Sequence, residues 1–284
     1  MFIFKDVEQI SQHIHKTKAS AQRIGFIPTM GALHAGHLSL IQASKQKHCY
    51  TICSIYVNPT QFNNASDLDN YPVTIEKDAK MLSEAGCDVL FLPTSDQMYG
   101  GKPIATQFDY GNITRVFEGA KRPGHFDGVI TIVGKLIDVV KPDEVFFGQK
   151  DLQQCMVVKK LLDSSYPNVV FNMQPTQRED SGLAMSSRNV RLSIEEAVVA
   201  LRLYQALSEV KLLLNQGLSV VDALAEAKLR YLQHPLLRLE YLDVVDSATM
   251  TTAAFITNEK QYAVIIACWC AEVRLIDNIL LTES

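Results

Sequence analysis

The chain has 284 residues, 47% of them apolar, which is enough to bury a large core and predicts two domains. Its 27 lysines and arginines against 31 aspartates and glutamates give a net charge of −4, which excludes a general electrostatic attraction to nucleic acid or an anionic membrane. Residues 1–12 show no secretory signal pattern, and no apolar run is long enough to span a bilayer, so we expect a cytoplasmic protein.

Five β-rich runs alternate with helical patterns, at residues 24–29, 50–57, 88–92, 144–147 and 168–173. Strands joined by helices predict an α/β fold with a Rossmann-like, doubly wound parallel sheet, and with the runs numbered 1 to 5 we expect the order 3-2-1-4-5. Runs 1 and 4 are neighbours in that order, so the loops that leave their carboxyl ends form one crevice. The sequence therefore predicts that the residues after 29 and after 147 carry the chemistry.

The pattern of predicted strands and helices changes beyond Gly182. Ser193 and Glu196 have the spacing of a capping box before a long helix. A helix at 220–232 and strands at 239–245, 262–269 and 273–276, which lack helical connections, predict a smaller C-terminal α+β domain. We expect the first domain to comprise residues 1–180 and the second residues 181–284.

The six cysteines are scattered beside apolar runs, without the paired CxxC spacing of zinc or redox sites. We expect buried free thiols. Half of a metal site at Cys268 and Cys270 is the alternative, but alternate residues of a strand share one sheet face, which favours core packing.

The first crevice loop contains His34 and His37 at the start of a helix, preceded by Gly31 and separated by Gly36. Unpaired N–H groups and the helix dipole favour an anion there, and the glycines let backbone approach it closely. Each imidazole can donate a hydrogen bond to charge on phosphorus. The pattern predicts a nucleotide-phosphate site, against the alternative of two helix-surface histidines.

The second crevice loop offers Lys150 as a point charge for phosphates, with Asp151 beside it to hold the lysine, water or Mg²⁺. A surface lysine next to a capping aspartate is the alternative. Residues 185–189 add two hydroxyls and a guanidinium, or form an ordinary polar turn. Gln61 follows the second strand and suits recognition of hydroxyls or carboxylates. Residues 121–126 either close over the phosphates or form a solvated loop.

Together these segments resemble the pantothenate synthetase (pantoate–β-alanine ligase) family, a member of the HxGH nucleotidyltransferase superfamily. The matching motifs run in order along nearly the whole chain: PTMGALHAGH from Pro28, YVNPTQF from Tyr56, KRPGHFDGV from Lys121, FGQKDLQQ from Phe147, GLAMSSRN from Gly182 and LIDN near the C-terminus. The HxGH element alone is shared with other adenylyltransferases and class I aminoacyl-tRNA synthetases. The NPTQF and RPGHF elements are specific to the family.

The resemblance implies an ATP-dependent ligase that condenses pantoate with β-alanine through pantoyl adenylate and releases pyrophosphate and AMP. It implies Mg²⁺ with the ATP, a homodimer, an ATP- and pantoate-binding domain at residues 1–180 and a lid domain at 181–284. No metal ligands are assigned. Two other functions stay open: an HxGH adenylyltransferase acting on a phosphate monoester, and a non-catalytic ATP-binding sensor. A class I aminoacyl-tRNA synthetase is less favoured, because no basic tRNA-binding domain is evident.

The resemblance also implies the site residues, position by position. His37 is the catalytic proton donor, with His34 and Lys150 as further catalytic residues. Gln61 and Gln154 bind pantoate, and Gln61 also binds β-alanine. The chain departs from the family pattern at Gln149, at Val73 and at Gln177, whose contact is through backbone. The ATP-binding residues are Met30, Gly31, Ala32, Leu33, His34, Ala35, Gly36, His37, Gly148, Gln149, Lys150, Asp151, Gln177, Met185, Ser186, Ser187 and Arg188.

Overall fold

Six parallel strands organise the first part of the chain in the computed structural model, which describes residues 1–281. The strands are β1 (Phe2–Phe4), β2 (Ile24–Thr29), β3 (Tyr50–Ile55), β4 (Val89–Phe91), β5 (Glu144–Gly148) and β6 (Val170–Gln174). The helices among them are α1 (Val7–Ala19), α2 (Ala35–Gln46), α3 (Ala65–Asp69), α4 (Ile75–Glu84), α5 (Ser95–Tyr99), α6 (Glu118–Lys121), α7 (His125–Val140) and α8 (Leu152–Ser165). This alternation of strand and helix confirms the predicted α/β class.

The strand order of the sheet is β1-β4-β3-β2-β5-β6. The five predicted strands follow one another as expected, but the predicted order 3-2-1-4-5 is incomplete, because β1 adds a sixth strand beside β4. Its three residues are too few to show a strand periodicity, and Phe2 and Ile3 stay 58% and 52% exposed at the sheet edge. Since β2 and β5 are parallel neighbours, their carboxyl ends lie at the same edge of the sheet.

The core of the sheet consists of large apolar side chains from adjacent strands. Phe26, Phe91 and Phe146 are completely buried. Helix α7 is apolar on nearly every side, and most of its residues are buried. It ends with Lys141 in the left-handed conformation at φ 46° and a proline next.

Contacts group the chain into two compact units. The first unit comprises Met1–Gly148 and Val157–Pro175, and the second comprises Gln149–Met156 and the chain from Thr176 onward. The turn directly after β5 is thus counted with the second unit. The division at residues 180 and 181 into a substrate-binding domain and a lid stays a prediction.

The second unit contains α9 (Ile194–Asn215), α10 (Val220–Tyr231) and an antiparallel sheet β7-β8-β9 (Leu237–Asp246, Tyr262–Cys270 and Val273–Leu280). Leu203 and Leu207 of α9 belong to the same buried cluster as Val264 and Ile266 of β8. Ser193 Oγ accepts from the Glu196 N–H at 3.2 Å, and Glu196 Oε2 accepts from the Ser193 N–H at 2.7 Å. The predicted α+β architecture and capping box are confirmed.

All six cysteines are free and buried, as predicted. Burial raises the pKa of the Cys87 and Cys268 thiols to about 12. Among residues 1–281, no helix has the length and apolar character needed to cross a membrane.

Candidate active site

The loop between β2 and α2 has an unusual backbone that the sequence around it dictates. Gly31 has φ +83°, and a Cβ at this position would stand 2.9 Å from Ile55 Cγ2. Ala32 is also left-handed, at φ 51°. Thr29 Oγ1 accepts from the Gly31 N–H at 3.2 Å and donates to the Ser54 carbonyl at 2.8 Å, which fixes the exit from β2. Glycine at position 31 is therefore required both by the conformation and by the space.

The two histidines of this loop form one end of α2. His34 is the N-cap, and its Nδ1 accepts from the Gly36 N–H at 3.1 Å. His37 Nδ1 accepts from the His34 N–H at 3.4 Å, and the ring centroids are 4.1 Å apart. A ring nitrogen that accepts a hydrogen bond carries no proton, so each neutral ring has its proton on Nε2. Both imidazoles therefore serve as Nε2–H donors.

Asp78 on α4 holds this loop in place, a role that the sequence analysis missed. Its side chain is completely buried. Oδ2 accepts from the Ala32 N–H at 2.9 Å, and Oδ1 accepts from the Leu33 N–H at 2.9 Å and from Thr74 Oγ1 at 3.0 Å. Its backbone partners at Ala32 and Leu33 lie 46 and 45 positions away, so no local pattern indicates them, and an aspartate in a helix usually faces solvent.

Gln61 lies beside the histidine loop, within the first unit. It ends a short 3₁₀ turn (Pro59–Gln61), is buried, and places Nε2 2.9 Å from Met30 Sδ. Asn58 Nδ2 donates to Gln61 Oε1 at 3.2 Å and to the Gly128 carbonyl at 3.1 Å, while Asn58 Oδ1 accepts from the Tyr99 hydroxyl at 2.6 Å. The carboxamide of Gln61 is thus oriented by a buried hydrogen-bond network.

The segment 122–125 also packs against Gln61. His125 Nδ1 donates to the Gln61 carbonyl at 2.8 Å, and Arg122 Nη1 donates to His125 Nε2 at 3.1 Å. His125 is buried at the start of α7, and its neutral ring carries the proton on Nδ1, the opposite tautomer to that of His34 and His37. His125 is therefore part of the wall around Gln61. It is buried, unlike a residue of a solvated loop.

In the second unit, Gln149, Lys150 and Asp151 form a 3₁₀ turn directly after β5. The Lys150 side chain is 19% exposed, and its Nζ lies 3.5 Å from Asp151 Oδ1. Gln154 lies half-buried on α8, one turn further along the chain. Asn278 on β9 donates from Nδ2 to the carbonyls of both Gln149 and Lys150.

Within the segment from Gln177 to Arg188, residues 178–184 form a short hairpin in the same unit. The Met185 N–H donates to the Gln177 carbonyl at 2.9 Å, and Arg178 pairs with Ala184 in an antiparallel bridge. Beyond the hairpin, Ser186 Oγ accepts from the Arg188 N–H at 3.2 Å. Gln177 contributes its backbone carbonyl, and not its side chain, to this hydrogen bond.

The structure therefore brings the predicted residues together in two groups. Met30 to His37 and Gln61 lie in the first unit, and Gly148 ends β5 next to β2 in the same sheet. Lys150, Asp151, Gln154, Gln177 and Met185 to Arg188 lie in the second unit. No sequence pattern indicated a role for Asp78, Asp277 or Asn278, although the last two belong to the LIDN motif.

A parallel α/β sheet with an HxGH loop between a strand and a helix places the chain among the HxGH nucleotidyltransferases. Residues 2–280 match the family described as pantoate-beta-alanine ligase. A pantothenate synthetase of Cytophaga hutchinsonii is 40% identical over 282 residues, covering 99% of both chains. A crystal structure of pantothenate synthetase from Thermus thermophilus superposes with a TM-score of 0.90 at 36% identity, covering 100% of both chains.

A third relative is the pantoate-beta-alanine ligase of Francisella tularensis, solved in complex with a β,γ ATP ligand and β-alanine. It is 33% identical, with a TM-score of 0.79, and the match covers 100% of this chain and 99% of that one. The chain therefore belongs to the pantoate–β-alanine ligase family. It is a ligase that forms the amide bond between pantoate and β-alanine, and the phosphate-monoester and sensor alternatives are not favoured.

Proposed function

We propose that the chain binds ATP and uses it to convert pantoate into pantoyl adenylate, which β-alanine then attacks to give pantothenate. The observation that carries this proposal is the pair of imidazoles at the start of α2, both with Nε2–H donors, in the same unit as the oriented carboxamide of Gln61. A phosphate-binding helix end beside a group that recognises carboxylates is what the activation of an acid requires.

The chemistry has two steps. A carboxylate oxygen of pantoate attacks the α-phosphorus of ATP, and the bond to the β-phosphate oxygen breaks, releasing pyrophosphate. The amine of β-alanine then attacks the acyl carbon, the bond from that carbon to the AMP oxygen breaks, and the amine gives up a proton to solvent. Neither step requires a covalent bond to the protein.

The histidines are proposed to act in the first step. His37 and His34 donate from Nε2 to phosphate oxygens as negative charge grows there, with His37 as the principal donor. Because both Nδ1 atoms are engaged by backbone N–H groups, the rings cannot rotate without losing those bonds. Such preorganised donors stabilise a transition state at little cost in reorganisation.

The remaining residues are proposed to bind the substrates. Gln61 and Gln154 bind pantoate, and Gln61 also contacts β-alanine. Lys150 neutralises phosphate charge as a third catalytic residue. The nucleotide is bound by backbone and side chains at Met30, Gly31, Ala32, Leu33, Ala35, Gly36, Gly148, Gln149, Asp151, Gln177, Met185, Ser186, Ser187 and Arg188.

Mg²⁺ is proposed to accompany the triphosphate. Within the described residues, no three histidine, cysteine, aspartate or glutamate side chains group as a metal cluster. The Asp151 carboxylate stands beside Lys150, and one protein carboxylate with phosphate oxygens and water is a usual set of ligands for Mg²⁺. When bound, the ion neutralises phosphate charge.

We also propose that the protein is a cytoplasmic homodimer. Analytical ultracentrifugation would test the dimeric state.

The test of the proposed function is an ATP–pyrophosphate exchange assay with pantoate and without β-alanine. We expect labelled pyrophosphate to enter ATP only when pantoate is present. Exchange that needs a phosphorylated acceptor in place of pantoate would instead favour the phosphate-monoester alternative. ATP binding without AMP formation, when pantoate and β-alanine are both present, would favour the sensor.

A further inference from the structure

Asn278 uses its whole carboxamide on the turn that contains Lys150. It lies on β9 and is only 2% exposed. Nδ2 donates to the carbonyls of Gln149 and Lys150, each at 2.9 Å, and Oδ1 accepts from Gln149 Nε2 at 3.1 Å. Two consecutive carbonyls bound to one amide group cannot turn independently, so the direction in which the Lys150 side chain leaves the backbone is fixed.

Its neighbour Asp277 binds the other nucleotide-binding segment of the second unit. Asp277 Oδ2 accepts from Arg178 Nη1 at 2.6 Å, and Oδ1 accepts from Arg178 Nη2 at 2.9 Å. Arg178 also donates to the Gly182 carbonyl at 3.2 Å, and its guanidinium carbon lies 3.9 Å from the ring centroid of Tyr204. The guanidinium therefore ties the hairpin that precedes Met185 to β9.

The charges around Asp277 connect the two contacts. Burial raises the pKa of the Asp277 carboxyl, and the positive charges of Arg178 and Lys150 act against that rise. The carboxylate thus interacts favourably with the Lys150 ammonium as well as with its bidentate partner. Successive side chains of a strand project to opposite faces. The edge strand β9 therefore binds the hairpin through Asp277 on one face and the Lys150 turn through Asn278 on the other.

We propose that Asp277 and Asn278 are positioning residues for the adenylation step. Asn278 orients Lys150 through the backbone of its turn, and Asp277 orients the hairpin that leads to Met185, Ser186, Ser187 and Arg188 through Arg178. This proposal rests on the proposed function, in which those segments bind the phosphates. If the pair stabilised only the fold, substituting Asn278 would not affect the rate through Lys150.

The test is a double-mutant cycle between Asn278→Ala and Lys150→Ala, followed by pantoate-dependent ATP–pyrophosphate exchange. A displacement of about 1 Å in a charged group costs on the order of a hundredfold in rate, so we expect Asn278→Ala to slow exchange by about tenfold to a hundredfold. If Asn278 acts through Lys150, the double variant should be no more than about threefold slower than Lys150→Ala alone. The rate losses do not multiply when both substitutions remove the same interaction.

Asn172→Ala is the matched control. Asn172 is also a strand asparagine, and its Nδ2 donates to the Val145 carbonyl and to Glu144 Oε2, neither of which belongs to a proposed site residue. We expect it to lower the melting temperature as Asn278→Ala does while leaving the exchange rate unchanged. Asn278→Asp, which keeps the shape but removes both donors, serves if the alanine variant does not fold, and the same loss of exchange is expected.

Two outcomes overturn the proposal: exchange by a folded Asn278 variant with the unmodified kcat and KM for ATP, or losses that multiply in the double variant. In either case, the proposed function still holds if the unmodified chain shows normal pantoate-dependent exchange. No pantoate-dependent exchange by the unmodified chain would overturn the proposed function itself, and this proposal with it.

Discussion

Histidine tautomers decide what the imidazoles of this protein can do. In His34 and His37, Nδ1 accepts backbone hydrogen bonds and the proton lies on Nε2, whereas His125 donates from Nδ1 to a carbonyl. The first two are therefore the proposed donors to phosphate oxygens, and the third bridges Arg122 and Gln61. The same residue type takes two roles because the neighbouring backbone group is an N–H in one case and a C=O in the other.

Replacing His37 by alanine should slow adenylation by roughly a hundredfold or more, the usual effect of losing one transition-state donor. The measurement is single-turnover release of pyrophosphate. His37→Gln separates catalysis from capping, because glutamine at the third helical position can still accept from the His34 N–H. We expect His37→Gln to be nearly as slow, and His15→Ala, on the exposed face of α1, to be unaffected. Release at the unmodified rate in both His37 variants would contradict a catalytic role.

Asp78→Asn should loosen the histidine loop. An amide has one acceptor oxygen, so one of the N–H groups of Ala32 and Leu33 would face an NH₂ group instead of an acceptor. We expect a loss of about 1–3 kcal/mol in the free energy of unfolding, by urea denaturation, and about a tenfold slower pyrophosphate exchange.

Asp6→Asn is the control for Asp78→Asn, since both carboxylate oxygens of Asp6 also accept hydrogen bonds, one from the Gln9 N–H at the start of α1 and the other from Gln97 Nε2. It should lower stability and leave exchange unchanged. If Asp78→Asn lost stability but kept its full exchange rate, the loop would not depend on this carboxylate for its catalytic geometry.

Among the secondary-structure elements, helix α7 positions the Gln61 turn by coming unusually close to it. A Cβ at Gly128 would lie 2.5 Å from the Thr60 carbonyl oxygen and 2.6 Å from the Gln61 backbone nitrogen. The Gly128 carbonyl in turn accepts from Asn58 Nδ2. Glycine at this position therefore permits both the helix packing and the hydrogen-bond network that orients the carboxamide of Gln61.

Gly128→Ala and Gly134→Ala on the same helix should have opposite effects. Alanine at 128 must push the Gln61 turn away, so we expect lower stability and a raised KM for pantoate, by about tenfold or more. Alanine at 134 meets only the Tyr166 hydroxyl at 3.5 Å, an ordinary contact, and should stabilise the protein by about 0.5–1 kcal/mol through helix propensity. Thermal unfolding and pantoate kinetics measure both. Equal kinetics for the two variants would show that the close packing is not needed for the site.

Across the molecule, the six cysteines report on how well the chain is folded. All are buried, and burial raises the pKa values of Cys53, Cys87, Cys155 and Cys268 well above that of a free thiol. Because the thiolate is the reactive form, these side chains should be chemically inert in the native state.

We expect a thiol reagent to label the native protein only slowly up to about pH 9, and to label all six cysteines in guanidinium chloride. The release of the chromophore from an aromatic disulfide measures this. Rapid labelling of any cysteine in the active, native protein would show that its thiol is exposed and contradict the structure at that residue.

Local sequence was enough to predict most of the strands, the glycine-dependent loop, the capping box at Ser193 and the membership of the family. Each of these depends on residues close together in the chain, where hydrogen bonding and periodicity follow from local geometry. The three-residue strand β1 was missed, because it is recognisable only by its pairing with β4, which lies far along the chain.

The side chains that hold the site residues in place became evident only in the folded molecule. Asp78 reaches Ala32 across 46 positions, and Asn278 reaches Gln149 across 129. No local pattern encodes such contacts, since they arise when packed helices and strands bring distant segments within hydrogen-bond distance. The tautomer of His125 follows for the same reason, because its Nδ1 donates to the carbonyl of Gln61, 64 positions away. The tautomers of His34 and His37, in contrast, depend on backbone N–H groups two and three residues away.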